Sequence, residues 1–225
     1  MASFEQHVNT AVIASSIVVV PLHSSGFLDV NQSLLALTLG LVGGVLPDLD
    51  SNTSKPIRIV FKMLSILLPM IMILKLSADT SVLKIFVIWL IASALLHFVV
   101  FKIFLEFTKH RGIFHSIPMG LLFGQIVIYI SYFVLDADIQ RASIYGFFIF
   151  FGFMIHLVLD EIFSINAFGM YIKKSFGSAL KLYDKDNKIG SLAIYGLNIA
   201  MLFMIPFEAE LFLELFKSLS SLKIV

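Results

Sequence analysis

Residues Leu34–Asp50 read LLALTLGLVGGVLPDLD, an apolar run that ends abruptly in two carboxylates. The run is short of the ~20 residues that cross a bilayer, but its uncharged, apolar character favours a helix inside a membrane. Asp48 and Asp50 follow Pro47, where we expect the helix to end and an extended segment to present both acids together. Because ionisable residues near a membrane interior are costly and tend to mark function, the acids predict a functional site at this helix end.

The composition extends this interpretation to the whole chain. Of 225 residues, 59% are hydrophobic and only 14% are charged, and the mean hydropathy is +0.97. These values lie outside the range of soluble domains and predict an integral membrane protein. The absence of cysteine excludes disulfides and thiolate metal sites. The net charge of +1 gives no basic surface for nucleic acid.

Seven apolar runs predict an all-α, polytopic transmembrane bundle of about seven helices. They lack the period-two alternation of a membrane β-barrel. We predict one integral-membrane domain over residues 1–225, whose segment at about 166–190 lies on the membrane surface because it mixes lysines with aromatic and apolar residues. The seven runs are Val8–Leu22, Ser33–Pro47, Ile57–Leu76, Val82–Phe107, Ile113–Leu135, Ala142–Ile162 and Gly190–Leu213. The start of the chain lacks the features of a cleavable signal peptide, so we expect the first run to be retained.

Most basic residues fall at alternate ends of these helices. By the positive-inside rule, the start of the chain and the loops after helices two, four and six are cytoplasmic. A miscounted short helix would invert this orientation. The basic residues on the cytoplasmic side are Lys55, Arg58, Lys62, Lys102, Lys109, Arg111, Lys173, Lys174, Lys181, Lys185 and Lys188.

Four segments bring residues of the kind that bind metals to this predicted cytoplasmic face. His156 and Asp160 are four residues apart, so a helix places them on one face. His110 and His115 are five apart and need the break that Gly112 supplies in order to converge. The full set is His7 before helix one, Asp48 and Asp50 after helix two, His110 and His115 around the start of helix five, and His156 and Asp160 at the end of helix six.

Each segment also has a structural explanation. The acids after Pro47 fit a turn or a helix cap, the basic residues around His110 fit a membrane surface, and the pair on helix six fits interhelical hydrogen bonding. We assign structural roles to His23, on the opposite side, and to His97, inside helix four. The combination of all four segments on one face favours a functional site.

Four motifs carry a family resemblance. They are His7, GVLPDLDSNTS at Gly44–Ser54, HRGIFHS at His110–Ser116 and HLVLD at His156–Asp160. In this order they resemble the YdjM-type, LexA-regulated inner-membrane proteins, a family described as metal-dependent hydrolases. One departure follows Asp160, where many members have Thr and Pro and this chain has EIFSIN. The resemblance implies a multi-pass protein of the bacterial inner membrane with hydrolase activity.

Histidine and carboxylate ligands without thiolates suit zinc, manganese or iron, and we expect zinc or manganese. Seven ligands exceed one tetrahedral shell, so two metals are an option, an arrangement that recurs in phosphoester hydrolysis. We therefore predict as metal ligands His7, Asp48, Asp50, His110, His115, His156 and Asp160.

Several of these residues and their neighbours have predicted roles in catalysis. Asp50 or Asp160, where it is not a ligand, would act as general base. Arg111 would bind a phosphate through two hydrogen bonds from its planar guanidinium. Ser54 and Ser116 would orient the ligands.

The leading hypothesis is a membrane-bound hydrolase of a lipid phosphoester or ester at the cytoplasmic face. A metal-ion or proton transporter is the alternative, although transporter sites usually lie near the bilayer midplane. A third option is a scaffold in which the metal only ties helices together, which would leave no open coordination position.

The orientation predicts where fused reporters lie. Because basic loops stay in the cytoplasm, a reporter attached after Asn52, Lys109 or Lys181 should report cytoplasm, and one attached after Asp138 should not. Alkaline phosphatase and fluorescent-protein fusions measure this directly. Finding the segments after Asp50 and His110 on opposite sides would make a shared site impossible.

Overall fold

The computed structural model describes residues 2–50, 62–63, 65–67, 69–71, 73, 81–100, 102, 113–166, 171–172, 177 and 180–206. At residues 49–50, 165–166 and 171–172 it describes the backbone but not the side chains. Within these residues, five helices are long and apolar enough to cross a membrane: Phe4–Ser24, Val30–Asp48, Val82–Val100, Ile117–Val134 and Ile139–Ile162. A shorter apolar helix covers Lys188–Met204. The predicted all-α transmembrane class is confirmed.

Among the described residues, the α-helices with complete bounds are α1 (Phe4–Ser24), α2 (Val30–Val45), α3 (Val82–Ala94), α4 (Ile117–Tyr129), α5 (Ile139–Ile162) and α6 (Lys188–Met204). π-helical turns continue α3 over Leu95–Val100 and α4 over Ile130–Val134, and a 3₁₀ helix, Leu46–Asp50, continues α2. Two short antiparallel strands, β1 (Ile165–Asn166) and β2 (Tyr171–Ile172), follow α5.

The chain divides into two compact units, Met1–Pro47 with Ile113–Val225, and Asp48–Gly112. In the second unit, the indole Nε1 of Trp89 on α3 donates to the carbonyl of Ile66 at 3.2 Å, and α3 has no buried residue. The first unit contains α1, α2, α4, α5 and α6. The single domain and the surface-lying segment stay predictions.

Polar capping boxes mark the starts of α1 and α2. α1 starts with a capping box in which the Ser3 hydroxyl accepts from the Gln6 N–H and the Gln6 amide accepts from the Ser3 N–H. α2 has the same box between Asp29 and Gln32. Such boxes satisfy N–H groups that a helix leaves without intrahelical partners. The box places His7 inside α1, so the prediction that His7 precedes the first helix is wrong.

The end of α2 also differs from the prediction. Residues 46–50 form a 3₁₀ helix, so the extended arrangement expected after Pro47 is wrong. Proline has no N–H for an α-helical bond to the residue four earlier, which here is Gly43. The chain instead tightens into the three-residue turn of a 3₁₀ helix, a common helix ending.

Glycines allow α2 and α5 to pack with their backbones in contact. A Cβ at Gly152 on α5 would overlap the carbonyl oxygen of Gly40, and one at Gly43 would overlap the carbonyl of Ile149. A Cβ at Gly44 would overlap the methyl group of Ala11 on α1. Small residues serve this purpose in membranes, where lipid tails remove most of the hydrophobic drive between helices.

The other helices of this unit pack around that pair. Gly124 on α4 and Gly146 on α5 form a second close approach. The amide of Asn198 on α6 donates to the carbonyl of Pro118 at 3.0 Å, and Gln125 donates to the carbonyl of Asn198 at 3.3 Å. These buried amides tie α6 to α4 in the way that polar side chains link membrane helices.

Substitution of Gly152 tests the backbone contact. Gly152→Ala should destabilise the protein by about 1–3 kcal/mol because its methyl group meets backbone, which cannot move aside as a side chain can. Gly196→Ala on α6 is the matched control, since nothing lies within 4 Å of a Cβ there and alanine favours a helix over glycine. Thermal unfolding in detergent measures both. If Gly152→Ala unfolded at the same temperature as the natural chain, the tight contact would be contradicted.

Candidate metal centre

Two ligand-type side chains come from the last two turns of α5. His156 is 1% exposed and Asp160 is fully buried. Their spacing of four residues places both on one face of α5, as the sequence predicts, and this face meets His7 on α1. An imidazole and a carboxylate one helical turn apart can bind the same metal ion.

His7 on α1 completes a cluster with this pair. Its ring stacks on that of His156 with centroids 3.7 Å apart and planes 10° apart. Its Nε2 lies 3.4 Å from Oδ1 of Asp160, and His7 is 1% exposed. One ligand atom from each of His7, His156 and Asp160 lies within 4.8 Å of the others. Two ligand atoms that each bind one metal at ~2.0–2.2 Å lie at most about 4.4 Å apart, so the spacing in this cluster is close to the one that a shared metal requires.

A backbone carbonyl sets the tautomer of His156. Nδ1 of His156 lies 2.7 Å from the carbonyl oxygen of Gly44. A carbonyl only accepts, so the hydrogen-bond network assigns the proton to Nδ1 and leaves the lone pair on Nε2. Metal-binding histidines commonly donate their second N–H to a carbonyl in this way. This tautomer therefore fits a metal ligand, and it depends on the contact between α2 and α5.

The carboxylate of Asp160 is also held by backbone. Its Oδ1 accepts a hydrogen bond from the N–H of Ala2 at 3.2 Å. The ring of His7 has its Nδ1 buried with no hydrogen-bond partner in the part of the chain that the structure describes. A buried imidazole of this kind is costly unless something binds it. The two histidines and the carboxylate thus form a donor set that suits zinc or manganese.

His115 lies beside this cluster. It is fully buried, and its ring centroid is 5.7 Å from that of His156, with planes at 67°. It lies before α4 rather than in it, because that helix begins at Ile117. The N–H of Ile117 donates to the carbonyl of Lys181 at 3.0 Å, and the Ser116 hydroxyl donates to the carbonyl of Ile113. These bonds fix the backbone on the C-terminal side of His115.

The remaining predicted residues are placed less fully. Asp48 is the third residue of the 3₁₀ helix after α2, with a half-buried side chain. Asp50 ends that helix, and its side chain lies outside the described residues, as do Ser54, His110 and Arg111. The predicted role of Ser116 in orienting ligands and the roles of all seven predicted ligands stay predictions.

His23 lies at the other end of α1 from His7. The two are sixteen residues apart on one helix, which corresponds to about 24 Å. Nδ1 of His23 lies 2.9 Å from the carbonyl of Leu28, in the turn between α1 and α2. This bond gives His23 a local structural role away from the cluster.

Two groups of this site, the carbonyl of Gly44 and the N–H of Ala2, could not be predicted from the sequence. Neither belongs to a side chain, so no residue type signals it. The one hint was the pair Gly43–Gly44, two residues before the PDLD segment, because adjacent glycines permit a neighbouring helix to approach the backbone.

Comparison with known proteins shows which family the chain belongs to. No curated protein and no solved structure matches it significantly. The family model described as YdjM inner membrane protein matches residues 1–172, which include all three residues of the buried cluster. The chain therefore belongs to the YdjM inner membrane protein family.

Proposed function

We propose that the chain is a metal-dependent hydrolase that cleaves a phosphoester or ester of a lipid at the cytoplasmic membrane face. The observation that carries this proposal is the buried cluster of His7, His156 and Asp160, with the tautomer of His156 set by the Gly44 carbonyl. Buried ionisable groups in a membrane protein are costly and are retained where they act.

In this proposal each residue of the cluster has a role. His7 and His156 would hold zinc or manganese through ring nitrogens, and Asp160 through its carboxylate. A bound divalent metal supplies Lewis acidity toward the oxygen of an ester or phosphoester. His115 stands close enough to contribute a further ligand or to donate a proton to a leaving group.

The position of the cluster favours hydrolysis over transport. His7 is the fourth residue of α1, and Asp160 is the third from the end of α5. Ligands at helix ends lie near the depth of lipid headgroups, whereas transporter sites usually lie near the midplane between broken helices. Ester and phosphoester bonds of membrane lipids lie at that same depth.

A metal-stabilised scaffold is the second candidate. The observation in its favour is burial, because His7, His115, His156 and Asp160 are all at most 1% exposed. A closed site that links α1 to α5 would raise stability without catalysis. Metal binding alone therefore supports both candidates, and only turnover separates them.

Substitution of His156 tests the metal. His156→Asn keeps a donor near the Nδ1 position for the Gly44 carbonyl but deletes Nε2, so the fold should persist while metal content falls at least tenfold. His23→Asn is the matched control and should keep its metal. Elemental analysis of purified protein measures content. A chelator should lower the unfolding temperature of the natural chain and leave that of His156→Asn unchanged. Full metal content in His156→Asn would remove this residue from the site.

Turnover tests the hydrolase. The protein in lipid nanodiscs, loaded with zinc or manganese, should release phosphate or a phosphorylated headgroup, and Asp160→Asn should reduce release by at least a hundredfold. Arg111→Lys keeps charge but loses the planar fork, so it should retain metal and turn over phosphate-bearing lipids more slowly. Phosphate release and mass spectrometry of the lipids provide the measurement. Stoichiometric metal without turnover of any phosphoester or ester lipid would favour the scaffold.

A further inference from the structure

The residues before α1 reach across to the end of α5. The N–H of Ala2 donates to Oδ1 of Asp160 at 3.2 Å, a contact between residues 158 positions apart. Asp160 is fully buried. Ala2 is half-buried and lies outside α1, so its N–H is not needed for a helical hydrogen bond. The bond is therefore a tertiary contact to the candidate metal ligand.

This contact determines which way the carboxylate faces. The terminal torsion of an aspartate is soft, so the orientation of its carboxylate depends on what its oxygens bind. The oxygen that accepts from Ala2 is the same one that lies 3.4 Å from Nε2 of His7. The bond from Ala2 thus holds the carboxylate against the histidine pair.

The position of Ala2 is itself secured by its neighbour. The Ser3 N–H donates to the Gln6 amide oxygen at 2.7 Å, and the Ser3 hydroxyl accepts from the Gln6 N–H at 3.3 Å. This capping box fixes the backbone at the start of α1, one residue from Ala2. Because His7 follows Gln6, one local structure places both a candidate ligand and the group that orients another.

We propose that the backbone N–H of Ala2 is a positioning group of the metal centre, which orients the carboxylate of Asp160 for metal binding. This inference rests on the proposed function, because it assumes that Asp160 binds the metal. Hydrogen-bond partners of metal ligands typically contribute 10–100-fold to metal affinity. The N–H acts through Asp160 and would not itself touch metal or substrate.

In a chain that retains Met1, proline at position 2 removes the peptide N–H and also restricts the backbone torsion φ of that residue. Ala2→Pro should weaken Zn²⁺ or Mn²⁺ binding by roughly 10–100-fold. Ala2→Ser is the matched control, since it changes the side chain, keeps the N–H and should match the natural chain in affinity. Titration of the full chain in detergent against a competing chelator measures all three. Thermal unfolding of the metal-free forms shows whether the fold is equally stable in each.

A second variant, at Ser3, separates the loss of the Ala2 N–H from any change that proline causes at the start of α1. Ser3→Ala removes one half of the capping box and keeps every N–H, so it should weaken metal binding less than Ala2→Pro does but measurably. Equal metal affinity in Ala2→Pro, Ala2→Ser and the natural chain would overturn this inference and leave the metal centre intact. A natural chain that binds no metal would overturn both this inference and the proposed function.

Discussion

The backbone contact between α2 and α5 is the constraint on which the site depends. A Cβ at Gly43 on α2 would overlap the backbone of Ile149 on α5, and a Cβ at Gly152 on α5 would overlap the carbonyl of Gly40 on α2, so the two backbones touch. This approach brings the carbonyl of Gly44 within 2.7 Å of Nδ1 of His156. The last carbonyls of an α-helix need donors from outside it. The hydrogen bond from His156 therefore gives the Gly44 carbonyl, near the end of α2, a donor, and it also sets the tautomer of His156.

The bilayer explains why so much depends on glycine and on buried polar groups. Between apolar helices in lipid, association relies on close packing and hydrogen bonds instead of on release of water. The chain uses both, through its glycine contacts and through Asn198 and Gln125 between α4 and α6. A rigid frame of this kind keeps the side chains at the end of α5 within reach of α1, and such rigidity is what a metal centre requires.

The site combines groups that are far apart in the chain. His7 enters from the start of α1, His156 and Asp160 from the end of α5, and His115 from the segment before α4. Backbone groups of Ala2 and Gly44 hold two of these side chains. The carbonyl of Lys181 accepts a hydrogen bond from the N–H of Ile117 at the start of α4, and this bond holds the segment that carries His115. The cluster is thus supported on several sides by main-chain hydrogen bonds.

The sequence by itself determined the fold class, because uncharged apolar runs of about twenty residues have few stable states other than a membrane helix. It also paired His156 with Asp160, since the helical period alone places them together. It misplaced His7 and the residues after Pro47, because the Ser3–Gln6 box and the missing N–H of proline decide where α1 begins and how α2 ends. Only the tertiary structure decided that His7 stacks on His156, and that Gly44 and Ala2 hold the site. The physical reason is that main-chain N–H and C=O groups are the same in every residue that supplies them, so only the packing of helices reveals which of them face the site.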